Sequence, residues 1–337
     1  MRTTTDPHTL TRRRVVAGLG AMAVAPVTAP AFAAGWQPSK QILFFVPAGP
    51  GGALDIAARK MKVMLEQNKI IGQTMVIENR VGAGGTVAIN GILSQSSDGQ
   101  PLMTFTSGMF STRAIGDAPV SYASLTPVAI YLEESIVVAV KANSPLKNVQ
   151  DLIARLKVDP GSVSIGIADQ IGNHIHQAIA KPLKVAGVNV GKLNIVPFKS
   201  SAESMISLLG GHLDVVSAST PNVVSQLQSG SIRLLAVATA ERLPGILSQV
   251  PTWREQGVDA TFSSVQGVLG PKNMTADERR FWQDAIARLS AMPEWKDFLV
   301  SQYWRPMYLD SDAMTKYLEE NYAATRSLLK DLNVAIK

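Results

Sequence analysis

An apolar run, Ile42-Leu43-Phe44-Phe45-Val46, stops at Pro47-Ala48-Gly49-Pro50-Gly51-Gly52-Ala53-Leu54-Asp55, after which Leu54, Ala58, Met61 and Leu65 recur at helical spacing. That order reads as strand, glycine-proline turn and helix. Such a turn leaves the first helical N–H groups without partners and points the positive end of the helix dipole at whatever sits above it. Two readings are open at this point. The turn binds an anion, a carboxylate as readily as a phosphate, or it is an ordinary tight strand-to-helix connection.

The pattern repeats. Met75-Val76-Ile77 reads as a second strand, and Glu78-Asn79-Arg80-Val81-Gly82-Ala83-Gly84-Gly85-Thr86 as a glycine turn before a helix from Val87 to Leu93. A turn signal at Asp98-Gly99 precedes a third strand, Leu102 to Phe105, which ends at Thr106-Ser107-Gly108. This βαβαβ order implies a parallel sheet whose loops gather at the carboxyl ends of the strands, where ligands bind in open α/β sheets. Ile136 to Val140 begins a second unit of the same kind, with a helix over Val149–Lys157 and strands at Val163–Ile165, Leu193–Val196, Leu213–Val216 and Ile232–Val237. Its polar segments also follow strands: Ala168-Asp169-Gln170-Ile171-Gly172-Asn173-His174-Ile175-His176, then Pro197-Phe198-Lys199-Ser200-Ser201, then Ser217-Ala218-Ser219-Thr220-Pro221. The helix carrying Met205, Leu208 and Leu209 is expected to stop at Gly210-Gly211. From Gln266-Gly267-Val268-Leu269-Gly270-Pro271 onward the chain is expected to be helical, with a capping box at Thr275-Ala276-Asp277-Glu278.

The amino terminus reads as an export signal. Arg12-Arg13-Arg14 precede a mildly apolar stretch rich in Ala and Gly, and Ala31-Phe32-Ala33 is a small-x-small cleavage pattern before Ala34. The adjacent arginines with a weak apolar core favour a twin-arginine signal over the general secretory route. Residues 1–33 carry half of the formal charge of +6, and the remaining 28 basic and 25 acidic residues form no basic run with interleaved aromatics. Nucleic acid is therefore not an expected partner. No cysteine is present, which excludes disulfides, thiolate metal sites and thiol nucleophiles.

Enzyme signatures are weak. The first glycine loop lacks the Gly-Lys-Ser/Thr ending of a nucleotide-binding loop, Gly82-Ala83-Gly84-Gly85 is out of register for a dinucleotide fingerprint, and no Gly-x-Ser-x-Gly elbow occurs. His174 and His176 would share a face on a strand and could then hold a metal, but they fall at a loop-to-helix start with no third ligand beyond Asp169. Asp55 in the first turn of its helix suits the dipole without any ligand, or else accepts from a ligand donor. Asp214 is expected to anchor internal hydrogen bonds, and Trp253, Trp282, Trp295 and Trp304 to sit in the core or an interface.

These stretches resemble the Bug receptors, the periplasmic substrate-binding proteins of tripartite tricarboxylate transporters. The resemblance is carried by Val46-Pro47 with Gly51-Gly52-Ala53-Leu54-Asp55, by Val76-Ile77-Glu78-Asn79-Arg80-Val81-Gly82-Ala83-Gly84-Gly85, by Val196-Pro197-Phe198-Lys199-Ser200, and by Leu208-Leu209-Gly210-Gly211-His212-Leu213-Asp214. Asp98-Gly99, Leu234-Leu235-Ala236-Val237 and Val250-Pro251-Thr252 follow the same pattern. It implies an α/β, two-lobed, type II-like periplasmic binding protein, each lobe a mainly parallel sheet flanked by helices, with the ligand between lobes. The expected division is residues 34–135 with 262–337 in one lobe and 136–261 in the other.

The resemblance further implies a non-catalytic receptor for a small carboxylate or amide analogue. It would work in the periplasm as a monomer with a membrane permease, using no cofactor or metal. The cleft would be lined by Pro47, Ala48, Gly49, Gly51, Gly52 and Asp55, by Thr106 and Ser107, by Asn173, His174 and His176, by Lys199 and Ser200, and by Ala218 and Ser219. Two departures from the family pattern stand out. Ala48 and Gly49 replace aromatic or proline positions. Residues 169–176 replace a Ser-Gly-Asn-Gly-Thr-Ser-x-His run of which only the final histidine, His176, aligns well. Two alternatives are a receptor that reports occupancy to a sensor kinase and an exported hydrolase or isomerase using His174 or His176.

Overall fold

In the computed structural model, which describes residues 35–95, 101–116, 120–331 and 334, the opening run forms β1 (Ile42–Val46), followed by α1 (Ala53–Gln67). Then come β2 (Met75–Asn79), α2 (Thr86–Leu93), β3 (Pro101–Thr106), α3 (Gly108–Ile115) and β4 (Thr126–Glu134). A second series holds β5 (Ile136–Lys141), α4 (Val149–Val158), β6 (Ser164–Ala168), α5 (His174–Val185), β7 (Asn194–Phe198), α6 (Ser201–Gly210), β8 (Val215–Ser219), α7 (Val224–Gln228) and β9 (Ile232–Val237). The chain closes with β10 (Ser264–Gly270), α8 (Ala276–Ala291), α9 (Pro293–Ser301), β11 (Arg305–Leu309) and α10 (Ser311–Asp331). The export signal and the Asp98-Gly99 turn lie outside the described residues.

Two sheets result, in the orders β11-β4-β10-β3-β1-β2 and β7-β6-β8-β5-β9. Both are mixed rather than mainly parallel. In the first, β1 runs parallel to β2 and β3, whereas β10 runs antiparallel to β3 and β4, and β11 to β4. In the second, β6 runs parallel to β7 and β8, whereas β5 runs antiparallel to β8 and β9. The antiparallel members are largely those that carry the chain between sheets. β4 leaves the first sheet and, after Ser135 alone, becomes β5 of the second; β10 follows the return segment through Phe262.

The stretch from Gln266 is thus a strand before it is a helix, contrary to the sequence expectation. Gly267 explains the change. A Cβ there would lie 2.7 Å from the Ala129 carbonyl of β4, so this glycine permits close strand contact. The helical reading holds from Thr275, whose hydroxyl and the Glu278 carboxylate form the expected capping box. Gly211, at φ 82°, ends α6 in the left-handed conformation.

Alternation along β1 sends Phe44 to a core shared with α1, α8 and α9, and Phe45 to one shared with α2, α3 and α10. Truncating either ring to alanine is expected to cost about 3–5 kcal/mol. All four tryptophans of residues 253–304 are buried. Asp214 accepts from the Ser164 amide and hydroxyl at 2.9 and 2.8 Å, the anchoring role expected of it. α10 spans two cores: Met314 and Leu318 pack over the first sheet, and Leu329 is fully buried in the core around α4 and α5 of the second.

Candidate functional site

Four helix starts meet at one cavity of about 40 Å³ between the two sheets. Gly52, Ala53 and Leu54 bring the start of α1, and Gly84 and Gly85 that of α2. Asn173, His174 and Ile175 bring α5, and Ser200 and Ser201 bring α6. Among the described residues, no side chain caps α1 or α2. Asn173 and Ser200 cap their helices by accepting from the His176 and Glu203 amides, at 3.0 and 3.3 Å. The first amides of each helix still lack acceptors within it, so partial positive charge from several dipoles falls on one small space.

The jaws touch. The Gly49 amide donates to the Lys199 carbonyl at 3.4 Å, and Asn222 donates to the Gly51 carbonyl at 3.0 Å. Gln170 donates to the Thr112 hydroxyl at 2.6 Å, which donates to the Gly84 carbonyl at 2.9 Å. Gly84 has φ 58°, and a Cβ there would overlap the Thr112 hydroxyl at 2.0 Å. Only glycine fits that crossing point.

Of the residues expected to line the cleft, Pro47, Ala48, Gly52, Thr106, Asn173, His174, Lys199, Ser200 and Ser219 do line this cavity. The others stand off it. Gly49 and Gly51 close the rim through main-chain contacts. Asp55 is committed internally, accepting from the Gly51 amide (3.0 Å), Arg59 (2.9 Å) and Asn79 (2.9 Å). Burial alone would raise its pKa, but the bonds from Arg59, Gly51 and Asn79 outweigh that and hold it below the ordinary carboxylate value. The Ser107 hydroxyl accepts from the Val265 amide at 3.0 Å. Ala218 is packed in the core of the second sheet.

His176 is also off the cavity. On α5 the two imidazoles are two residues apart and so face different ways, as helical geometry requires. His176 Nδ1 accepts from the Gly172 amide at 2.9 Å, and burial pushes its pKa down to about 4. His174 instead lines the cavity, with Nε2 at 3.4 Å from Glu134 Oε2.

Glu134 is the residue that sequence reasoning missed. It ends β4, is 1% exposed, and its Oε1 accepts from the Ser219 hydroxyl. A signal was present: Glu133-Glu134-Ser135 interrupts two apolar runs that would otherwise read through. Asp169 is a second lining acid, held at φ 63°. Burial raises its pKa, partly offset by His174 and by the Gly84 and Gln170 amides. The order Ser219–Glu134–His174 is not that of a nucleophilic triad, because the hydroxyl donates to the carboxylate and not to the imidazole.

A larger cavity of about 440 Å³ lies elsewhere, lined by the flanks of α5 and α10 at Gln177, Lys181, Tyr317 and Asn321 and by the return segment at Thr261–Ser263. Ser107 is the one helix start there, and its hydroxyl is already engaged by Val265. The smaller cavity is the candidate site because the helix starts and the unpaired polar atoms gather there.

Two mixed sheets joined at β4–β5 and by the return segment before β10, with helix starts facing each other across a cleft, define a solute-binding receptor of the periplasmic binding protein fold. Residues 58–334 match the profile of the tripartite tricarboxylate transporter family receptor, and the chain belongs to that family, the Bug receptors. It is 27% identical over 331 residues to the protein encoded in the gbd 5′ region of Cupriavidus necator, covering 97% of this chain and 98% of that one. It is 28% identical over 268 residues to protein BugT of Bordetella pertussis (strain Tohama I), covering 78% and 79%. The solved structure of R. palustris Rpa4515 with adipate superposes with a TM-score of 0.82 at 25% identity, covering 88% of this chain and 99% of that one. Among the described residues no helix is long and apolar enough to cross a membrane.

Proposed function

We propose that this chain is an exported receptor that captures a small organic carboxylate and presents it to the membrane permease of a tripartite tricarboxylate transporter. One observation carries the reading: four helix starts converge on a single cavity. Helix dipoles and main-chain amides compensate a buried carboxylate without a full countercharge. The adipate in the R. palustris Rpa4515 structure supports the same ligand class. Residues 34–135 with 262–337 act as one lobe and 136–261 as the other, turning about Ser135 and the segment near Phe262. Residues 1–33 direct export, by the twin-arginine route, to the periplasm. The receptor works as a monomer and turns over nothing.

The test is a thermal-shift and calorimetric screen of mono-, di- and tricarboxylates, their amides and amino acids. A ligand at 100 times its Kd adds about 2.7 kcal/mol of stability. Chemical change of a bound ligand, or no binding by any carboxylate, would overturn the reading.

A further inference from the structure

We propose that the ligand is a small amino acid whose carboxylate meets the helix starts and whose ammonium docks on Glu134. This rests on the carboxylate reading above and narrows it. Glu134 Oε2 is buried and has no hydrogen-bond partner among the described residues, although it lines the cavity. His174 Nε2 approaches it at 3.4 Å without hydrogen-bond alignment, and His174 Nδ1 is likewise unpartnered. A buried carboxylate oxygen left this way is costly unless a donor arrives. The buried Thr106 Oγ1 is a second oxygen without a hydrogen-bond partner among the described residues, on the same wall. An ammonium offers three donors and a full charge, matching both.

The charge balance points the same way. The charged or titratable side chains on the cavity wall are Glu134, Asp169, His174 and Lys199, and Lys199 is exposed. Two acids face the ligand space, so a ligand bringing a second carboxylate meets like charge in a site of low dielectric. The site thus selects against a second negative charge and for a positive group next to the first.

The experiment uses matched pairs differing only in the amine: glycine and acetate, alanine and propionate, serine and 3-hydroxypropionate, with lactate and succinate added. Calorimetry on the purified chain should find at least one amino acid bound roughly 10-fold or more tighter than its partner, as expected for a hydrogen bond to a charged group. Lactate tests whether a neutral donor suffices, and equal binding of lactate and alanine would overturn the ammonium. In Glu134→Gln, which keeps an acceptor for the Ser219 hydroxyl, the amino acid should weaken about 10- to 100-fold while the deamino partner is unchanged or improved. The wild-type ratios decide the matter even if that variant fails to fold. Carboxylates that bind with no preference for the amine overturn this inference alone. No binding by any carboxylate overturns the receptor reading with it.

Discussion

The two jaws of the cleft are built on opposite principles. The turn from Pro47 to Gly52 offers main chain only: among the described residues no side chain caps α1, and the acid of its first turn, Asp55, is turned inward to Gly51, Arg59 and Asn79. The facing loop, residues 169–176, is full of side chains, with Asp169, Asn173 and His174 on the cavity wall and His176 beneath it. Main-chain amides recognise negative charge without regard to the rest of the molecule. Side chains discriminate. In the proposed receptor, one jaw recognises a class, and the other, with Glu134, chooses within it.

The largest expected effect comes from attacking the main-chain jaw directly. Gly52→Asp places a carboxylate at the start of α1, at φ −75°, where any residue is allowed, although its Cβ would sit 3.3 Å from the Gly49 carbonyl. Ligand affinity should fall by at least about 100-fold, with cooperative unfolding retained; calorimetry showing unchanged affinity would move the site elsewhere. Next is the floor of the side-chain jaw. His176 is neutral when folded, with its pKa depressed from 6.5 to about 4. The unfolded chain takes up the proton first. The stability tied to this group is complete above pH 6.5 and is lost as the pH falls toward 4, by roughly 3 kcal/mol in all. In His176→Asn, whose side-chain oxygen can replace Nδ1 as acceptor from Gly172, urea midpoints between pH 7 and 4.5 should fall less steeply than in the wild type. Parallel curves would contradict the burial argument.

A smaller loss follows from Asn173→Ala. It removes the cap on His176 and the bond to the Ala168 carbonyl, and should destabilise the protein by about 1–2 kcal/mol, read from denaturant midpoints. Weakest of all, Asn222→Ala deletes one bond across the rim to Gly51. Affinity should drop only about 3- to 10-fold, chiefly through faster release, which stopped-flow measurements would resolve.

What the sequence made legible tracks the same division. The main-chain jaw was readable because glycine, proline and the switch from an apolar run to helical spacing are local signals. The second jaw was readable as a loop, but not residue by residue. Which of His174 and His176 lines the cavity depends on where α5 begins, since each residue step turns the helix by about 100°. The aligned position, His176, lies beneath the cavity, and the unaligned His174 lines it. Glu134 was missed for a topological reason. It stands at the crossing between β4 and β5, and its partner Ser219 is 85 residues away. β10 was missed because a strand held between two antiparallel neighbours tolerates Gly267 and Gly270, which read locally as breakers.

The last helix sets a mechanical limit on the whole device. α10 is sewn to the first sheet by Met314 and Leu318 and to the second by Leu329, which has no exposed surface. Two crossings alone would make a loose clasp. A third tether of packed helix makes a stiff one, in which widening the gap must bend α10 or draw Leu329 out of its socket.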